Sequence, residues 1–440
     1  MLNKSVIFAA RAVALRHAAL LFALAVSLTL HIAAVAWNPG KVFNDPVRYG
    51  AEISYYGSRD ASLYAKMADQ ILVDHVYGYN STQSNAYVTP GYPVYLVTIF
   101  AVADIARVER VKLVRGVNAV LSVLTVALLY SICLLATQSR RLAFVSALMY
   151  ALYFSPLHYF RTLLTEVPGI FVLYAALLAY LVALERRTAK WHAIFALTFC
   201  AGLMIRPTPA PLIVLAAIPV IFRYQGREAL RTYGTWLVCA LVVFLPWMLR
   251  NYLVLGDFSF SSHGGNPLLA GTNPFNSEEF SSIMKQAAAS GMTQGEVAMS
   301  RITAGFDSQP DLWISWFTTG KLYWLFSTPS AWHGYLPELK HLSRWVYGLH
   351  YLILLFSLAA LVFRKNSREL IVAGTIIGYI LISLVFLAND RYGFFAIPGM
   401  CILAAVGMKY SWIGLAHFAR AVKARATELL WGKAGVAHAN

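Results

Sequence analysis

The sequence is poor in charge, and in acidic residues above all. Only 13% of its 440 residues are Asp, Glu, Lys or Arg, whereas 59% are hydrophobic. Soluble globular domains carry about 25% charged residues, so this composition excludes a soluble domain and predicts a chain that crosses a membrane several times. There are 20 acidic and 36 basic residues, which leaves a net charge of +16. The basic residues form no patch interleaved with aromatic residues, and a nucleic-acid surface is therefore not indicated.

Cysteine is scarce as well, and the few cysteines lie apart. All four are in apolar runs without a close pair: Cys133, Cys200, Cys239 and Cys401. They are typical of small buried hydrophobic residues, and neither a disulfide nor a metal site is predicted from them. Histidines also lack the spacing of metal ligands. No metal ion and no other cofactor is expected.

The sequence contains many long apolar runs. Ten are candidate membrane spans, although several are shorter than the roughly 20 residues that a spanning helix needs. They lie near 18–37, 111–136, 142–158, 167–184, 190–205, 209–223, 234–250, 342–363, 369–388 and 393–410. The first run follows several basic residues and is interpreted as an uncleaved anchor. A signal peptide is the alternative, but its apolar part is usually about 7–15 residues long.

Short basic connections between the runs predict the orientation. These are "TQSRRL", "ERRTAK", "RYQGREALR" and "RKNSRE", and the positive-inside rule assigns them to the cytoplasm. The pieces on that side, both termini included, hold nearly all of the net charge of +16. We therefore predict a single transmembrane domain, 1–440, with a basic cytoplasmic tail at 411–440. Two large outer loops follow at 38–110 and 251–341.

Two shorter apolar stretches leave the number of spans open. The segments 91–106 and 312–326 are short enough to be interfacial or re-entrant helices at the outer surface, which gives ten spans. Twelve spans would result if both crossed, and the basic stretch "ARVERVKLVRG" between the first of them and the next run favours that alternative.

The first outer loop contains an amphipathic pattern, "SRDASLYAKMADQIL", at 58–72. Leu63, Met67 and Ile71 fall on one face of a predicted helix, and Ser58 and Asp60 stand at its capping end. The aspartate is either a simple helix cap or a reactive carboxylate held at headgroup depth.

Further polar clusters fall on the same outer side. They are "HYFRTLLTEVPG", "IRPTP", "PWMLRNY" and "NDRYGF". Taken singly, an arginine at a span end usually reaches for lipid headgroups, and Glu166 before a proline suits a helix start. Taken together, they indicate chemistry on an anionic, lipid-carried substrate, since arginine binds phosphate in bidentate fashion and a carboxylate accepts a proton from a hydroxyl.

These motifs, taken in order, resemble a known family. "RDASLYAKMADQIL", "TPGYPVYL", "RTLLTEVPG", "GLMIRPTPAPL", "LPWMLRNYLVLGDF", "GGNPLLAGTNP" and "NDRYGFFAIPG" resemble recurring stretches of C-type glycosyltransferases of the family-39, protein-mannosyltransferase and aminoarabinose-transferase kind, over roughly 50–410. The resemblance implies an all-α polytopic membrane protein with about ten to twelve transmembrane helices and juxtamembrane helices in the first outer loop. It also implies inverting transfer of one sugar from a polyprenyl-phosphate donor to a lipid, glycan or protein acceptor outside the cytoplasmic membrane.

The resemblance assigns candidate roles to single residues. Asp60 matches the catalytic aspartate of the first loop and Glu166 the second acidic position. Candidates for binding the donor phosphate are Arg161, Arg206, Arg250 and Arg391. Candidates for other substrate contacts are Arg59, Tyr64, Tyr92, His263, Asn266 and Tyr392. The family's first loop often has an acidic pair, whereas Asp60 stands between Arg59 and Ala61. This departure argues against the divalent-metal site of the oligosaccharyl-transferase relatives and leaves the acceptor open.

Two other functions stay open from the sequence. A transporter or flippase for a lipid-linked glycan predicts internal repeats and ionisable residues near span centres, and neither is clear. A polysaccharide polymerase or ligase would also use arginines on a lipid phosphate at the outer face.

Overall fold

The computed structural model describes residues 4–37, 47–49, 52–54, 58–261, 265–332, 341–363 and 366–431. Almost all of this is helical. A short antiparallel ribbon of β1 (Val47–Tyr49) and β2 (Glu52–Ser54) is the exception, with Arg48 paired to Ile53. The ribbon precedes the amphipathic helix and was not predicted from the sequence.

The helices follow one another along the chain. In chain order they are α1 (Lys4–Trp37), α2 (Arg59–Asp74), α3 (Gly91–Ala106), α4 (Arg110–Thr137), α5 (Arg140–Ala151), α6 (Phe154–Tyr159), α7 (Glu166–Arg186), α8 (Ala189–Ile205), α9 (Leu212–Arg223), α10 (Gly226–Leu255), α11 (Gly265–Ala270), α12 (Phe280–Ala289), α13 (Gln294–Ser308), α14 (Pro310–Ser315), α15 (Lys321–Phe326), α16 (Ser343–Val362), α17 (Ser367–Val385), α18 (Asp390–Gly393) and α19 (Ile397–Trp431). A 3₁₀ turn (Pro274–Asn276) follows α11, and a π-helical turn (Trp316–Gly320) joins α14 to α15.

Seven described helices are long and apolar enough to cross a membrane: α1, α4, α7, α10, α16, α17 and α19. Each coincides with a predicted span, and the chain is a multi-pass integral membrane protein. The predicted spans at 190–205 and 209–223 form the shorter helices α8 and α9, of 17 and 12 residues.

The predicted span at 142–158 is divided into two helices. It forms α5 and α6, with Tyr153 in an extended conformation between them. Pro156 has no N–H to continue the hydrogen-bond ladder from α5, which explains why one helix cannot run through. The sequence pattern of continuous apolar residues did not reveal this break.

The N-terminus of α7 is fixed against the start of α19. The Tyr174 hydroxyl donates to the Phe395 carbonyl at 3.0 Å and accepts from the Gly399 N–H at 2.8 Å. Gly169 faces the Phe395 ring so closely that an added Cβ would lie 3.1 Å from it. These contacts bring the first turn of α7, and with it Glu166, next to the segment that carries Arg391.

Helices α2 and α3 lie side by side. Ser58 caps α2 by accepting the Ala61 N–H at 3.2 Å, as the sequence predicted for this position. Near their N-termini the rings of Tyr64 and Tyr92 are 4.8 Å apart. At the other end, Arg110 donates to Asp69 of α2 and Asp104 of α3. The two helices therefore run in the same direction with their ends in register.

Two predicted surface segments are helical. The stretch 312–326 is one continuous helical segment, in which α14, the π-helical turn and α15 follow each other without a break. The tail predicted at 411–440 continues α19 without a break up to Trp431, and residues 432–440 lie outside the described part of the chain.

Candidate active site

A cavity of about 730 Å³ opens at the N-terminal end of α2. This volume is typical of a small-molecule site. Among the residues predicted for the site, those that line the cavity are Arg59, Asp60, Tyr64, Arg206, Asn266, Arg391 and Tyr392. They come from α2, from the end of α8, from α11 and from α18, so four distant parts of the chain meet here.

An ion-pair cluster forms one wall of the cavity. The Arg391 Nη1 donates to Asp60 Oδ2 at 2.9 Å, and its Nε donates to Glu166 Oε1. The Arg206 Nη1 donates to the same Glu166 oxygen at 3.3 Å and to the Thr165 hydroxyl at 3.3 Å. Arg391 thus bridges the two predicted acidic residues, and Glu166 accepts hydrogen bonds from two of the predicted arginines, Arg206 and Arg391.

The two carboxylates differ in access. The Asp60 side chain is 50% exposed, whereas that of Glu166 is 0% exposed. A ligand in the cavity can therefore contact the Asp60 carboxylate directly. Glu166 is not among the residues that line the cavity, and the structure places it behind the arginines. Its Oε2 has no hydrogen-bond partner within the described residues.

The guanidinium groups of the cluster are held between carboxylates and aromatic rings. Burial lowers the pKa of Arg391, but the carboxylates of Glu166 and Asp60 raise it more, and the pKa ends well above its usual range. The Arg206 guanidinium lies over the rings of Tyr392 and Phe395, with its Cζ 4.3 Å and 4.5 Å from their centroids. Such cation–π contacts fix the plane of the guanidinium.

Tyrosines form a second wall. Tyr64 lines the cavity one turn after Asp60, and burial together with the Asp60 charge raises the pKa of Tyr64. The rings of Tyr79 and Tyr87 are stacked, 5.4 Å apart. Tyr92 was predicted to contact substrate, but it is fully buried behind Tyr64 and is not a lining residue. Its role in the described structure is to support the Tyr64 ring.

Two predicted phosphate-binding arginines are not in the cavity wall. The Arg161 Nε donates to the Leu157 carbonyl at 2.8 Å, and its guanidinium lies over the Phe160 ring. The Arg250 Nη1 donates to the Asn85 carbonyl at 3.1 Å, and its guanidinium lies over Tyr77 and Trp247. His263, which was predicted to contact substrate, lies outside the described residues.

The loop between α2 and α3 contributes lining residues that sequence reasoning missed. Asn85 Oδ1 accepts the N–H groups of Tyr79 and Tyr87, both at 3.2 Å, and Asn85 Nδ2 donates to the Tyr79 carbonyl at 3.0 Å. Asparagine commonly folds loops in this way. The density of Asn, Ser and Tyr in "GYNSTQSNAY" is the sequence signal for it, although composition alone does not tell which side chain organises the loop.

Arg250 is therefore expected to stabilise this loop. Arg250→Lys should lower the free energy of unfolding by about 1 kcal/mol, because the cation–π contacts weaken and the fork geometry is lost. If the cavity carries out the sugar transfer that the sequence motifs imply, that transfer should fall much less than in Arg391→Lys. Thermal unfolding and transfer assays on both purified variants check this. An equal loss of transfer in the two variants would instead place Arg250 on the donor phosphate.

The described part of the chain contains no group of three or more His, Cys, Asp and Glu side chains with the arrangement of a metal site. The oxygens of Asp60 and Glu166 that face the cluster are engaged by arginines. Metal independence stays a prediction.

The sequence of residues 89–249 matches the family described as dolichyl-phosphate-mannose-protein mannosyltransferase. This stretch includes Glu166 and Arg206, whereas Asp60 and Arg391 lie outside it. No curated protein matches the chain at a significant level of sequence similarity. The family match confirms the resemblance that the sequence motifs indicated.

Solved structures share the fold. The chain is similar to ArnT from Cupriavidus metallidurans bound to undecaprenyl phosphate, with a TM-score of 0.50 and 13% identity over 96% of this chain and 66% of that chain. It is also similar to the oligosaccharyltransferase of Archaeoglobus fulgidus in the apo form, with a TM-score of 0.51 and 14% identity over 92% of this chain and 52% of that chain. The chain thus spans about half to two thirds of the length of these structures, and it shares their fold.

Proposed function

Residues 89–249 carry the sequence pattern of the dolichyl-phosphate-mannose-protein mannosyltransferase family, and from this premise we propose that the chain is a glycosyltransferase. It moves a single sugar from a polyprenyl-phosphate donor to an acceptor at the outer face of the cytoplasmic membrane. The observation that carries the proposal is the half-exposed Asp60 carboxylate in the wall of a large cavity, beside the guanidinium groups of Arg206 and Arg391.

In the proposed reaction, Asp60 is the general base. It takes the proton of an acceptor hydroxyl as that oxygen attacks the anomeric carbon. The bond from the anomeric carbon to the phosphate oxygen breaks on the opposite face, and its electron pair leaves with the polyprenyl phosphate. The configuration at the anomeric carbon is inverted. Tyr64 and Asn266, which also line the cavity, are candidates to contact the sugar.

The arginines would stabilise the leaving phosphate. Negative charge grows on that group as the bond breaks, and preorganised cations in a partly buried site lower the barrier most when they do not have to reorient. Glu166 supplies that preorganisation in our proposal, because it accepts hydrogen bonds from both Arg206 and Arg391 while it is itself 0% exposed. It acts as a positioning residue, with Asp60 as the group that meets the acceptor.

We further propose ten spans, with both termini in the cytoplasm and the cavity outside. The parallel course of α2 and α3 supports this count, since α3 pairs along its length with an amphipathic helix whose polar residues, such as Asp69, accept from Arg110. A helix that pairs in this way is suited to the membrane interface rather than to a crossing. Because α2 and α3 run in the same direction, the basic stretch that follows α3 begins next to the C-terminal half of α2, where Arg110 contacts Asp69.

Cysteine labelling tests the orientation. In intact cells, an impermeant thiol reagent should react with Thr82→Cys and Lys285→Cys and should spare Gln225→Cys. All three positions are exposed, so burial does not explain a difference between them. The four native cysteines are buried and give little background. Labelling of Gln225→Cys from outside would reverse the orientation and move the cavity to the cytoplasm.

The fate of a labelled sugar separates this function from its rivals. The purified protein is reconstituted into vesicles with a polyprenyl-phosphate sugar that is labelled in the sugar, together with an extract of envelope lipids and glycans. Transfer moves one labelled sugar from the carrier to an acceptor. A flippase would leave the label on the lipid and change only its leaflet, and a polymerase would build chains of several units. Either of these results would contradict the proposal.

A further inference from the structure

Lys321 is a buried lysine outside the cavity, and burial lowers its pKa to about 7. Its side chain is on α15, in the stretch that was expected to lie at the membrane surface, yet the residue is 0% exposed. The Nζ donates to the carbonyls of Leu384 and Phe386 at 2.8 Å and 3.0 Å, with the Val385 carbonyl at 3.4 Å. It also lies 3.8 Å from the centroid of the Phe317 ring. Burial of an ammonium group is costly unless several such partners compensate it.

The three carbonyls belong to the C-terminal end of α17, where Phe386 leaves the helix in an extended conformation. The last carbonyls of a helix have no partner within it, and a cation there also interacts favourably with the helix dipole. Lys321 therefore supplies the hydrogen-bond donor for the last carbonyls of α17, at the point where the chain turns toward the cavity.

The segment that follows α17 leads directly to Arg391. Leu387 lines the cavity, and its N–H donates to the Pro267 carbonyl at 2.9 Å. Asp390 Oδ2 accepts the Ala331 N–H at 3.1 Å. Gly393 is in direct contact with the Leu325 carbonyl, so that a Cβ at this position has no room. The segment that begins with Lys321 therefore contacts the turn that carries Arg391 at two places, which are Asp390 and Gly393.

We propose that Lys321 is a positioning residue for Arg391. By fixing where α17 ends, it sets the turn from which the Arg391 guanidinium reaches both Asp60 and Glu166. The functional part of this inference rests on the proposed function, in which Arg391 contacts the donor phosphate. A lysine that serves only global stability would be equally buried, and the experiment has to separate the two roles.

A double-mutant cycle provides that separation. Lys321→Met should lower kcat/KM of the folded, purified protein by about tenfold or more, because hydrogen bonds to a charged group are lost and Arg391 is no longer held in place. In an Arg391→Lys background the same change should cost less than about twofold, since the group that Lys321 positions is already impaired. Lys285→Met, at an exposed lysine of α12, is the matched control and should be neutral in both backgrounds.

Hydrogen exchange on the full-length protein gives a readout that does not depend on transfer. Lys321→Met should speed the exchange of the amides of residues 387–393, whereas Lys285→Met should leave it unchanged. Faster exchange in a protein that transfers no sugar would uphold the structural role of Lys321 and count against the proposed function alone. Unchanged exchange, or equal losses of kcat/KM in the two backgrounds, would overturn the inference. If Lys321→Met does not fold, Lys321→Gln takes its place: its shorter side chain does not reach all three carbonyls, so exchange at 387–393 should still be faster than in the wild type, and unchanged exchange would overturn the inference.

Discussion

Asp60→Asn is expected to lower the rate of sugar transfer by about 10²- to 10⁴-fold, the typical worth of a general base. The amide has the shape of the carboxylate, and its oxygen still accepts from Arg391, but it does not take a proton from the acceptor. Helix stability should change little, because the cap of α2 is the Ser58 side chain and not Asp60. The measurement is single-turnover transfer on protein whose thermal unfolding matches that of the wild type.

The matched control for this variant is Asp74→Asn. Asp74 ends the same helix and is exposed, so it reports the general effect of removing one carboxylate from α2. Its transfer rate should equal that of the wild type. Near-normal transfer by a folded Asp60→Asn protein would end the general-base assignment and leave the aspartate as a partner of Arg391 only.

Arg391→Lys is expected to lower kcat/KM by about 10- to 150-fold, which corresponds to the 1.5–3 kcal/mol of a hydrogen bond to a charged group. A lysine has a single ammonium centre and does not bridge Asp60 and Glu166 while it also contacts a phosphate. Stability should fall as well, because Glu166 is fully buried and loses one of its two charged partners. Transfer kinetics and thermal unfolding measure the two effects separately.

Arg368→Lys is the control for the general cost of replacing an arginine in an ion pair. Arg368 pairs with Glu185 at 3.4 Å, and both side chains are partly exposed, at 33% and 42%. Such surface pairs contribute little to stability. If Arg391→Lys is as active as Arg368→Lys, the donor phosphate is bound elsewhere.

The sequence predicted several residues that the structure brings into one cavity, but not how they pair. Charge counting placed the polar clusters on one side of the membrane, because basic loops mark the cytoplasm. The resemblance to the family selected Asp60 and Glu166 among them. Arg391 contacts Asp60, which is 331 positions away in the sequence, and Glu166, which is 225 positions away. No local sequence pattern encodes such contacts. They depend on how α7 packs against α19.

The arginines show why the remainder could not be predicted. Arg206 and Arg250 both stand at the predicted outer end of an apolar run, and their sequence contexts are similar. The structure separates them through their partners, which are Glu166 for the first and the Asn85 carbonyl for the second. Lys321 lies in the stretch 312–326, which was expected at the membrane surface because it is short for a span. It is buried instead because the end of α17 offers carbonyl oxygens that replace water.

Release of free polyprenyl phosphate is the most direct test of the central claim. The purified wild-type protein is mixed in detergent with a polyprenyl-phosphate sugar and envelope acceptors, and both products are quantified. We expect one polyprenyl phosphate for each sugar transferred, and the transferred sugar should have inverted configuration at the anomeric carbon. The Asp60→Asn protein should be nearly inactive. An intact donor after incubation of the wild type, across a panel of donor sugars and acceptors, would contradict the assignment of this chain as a lipid-phosphate-dependent glycosyltransferase.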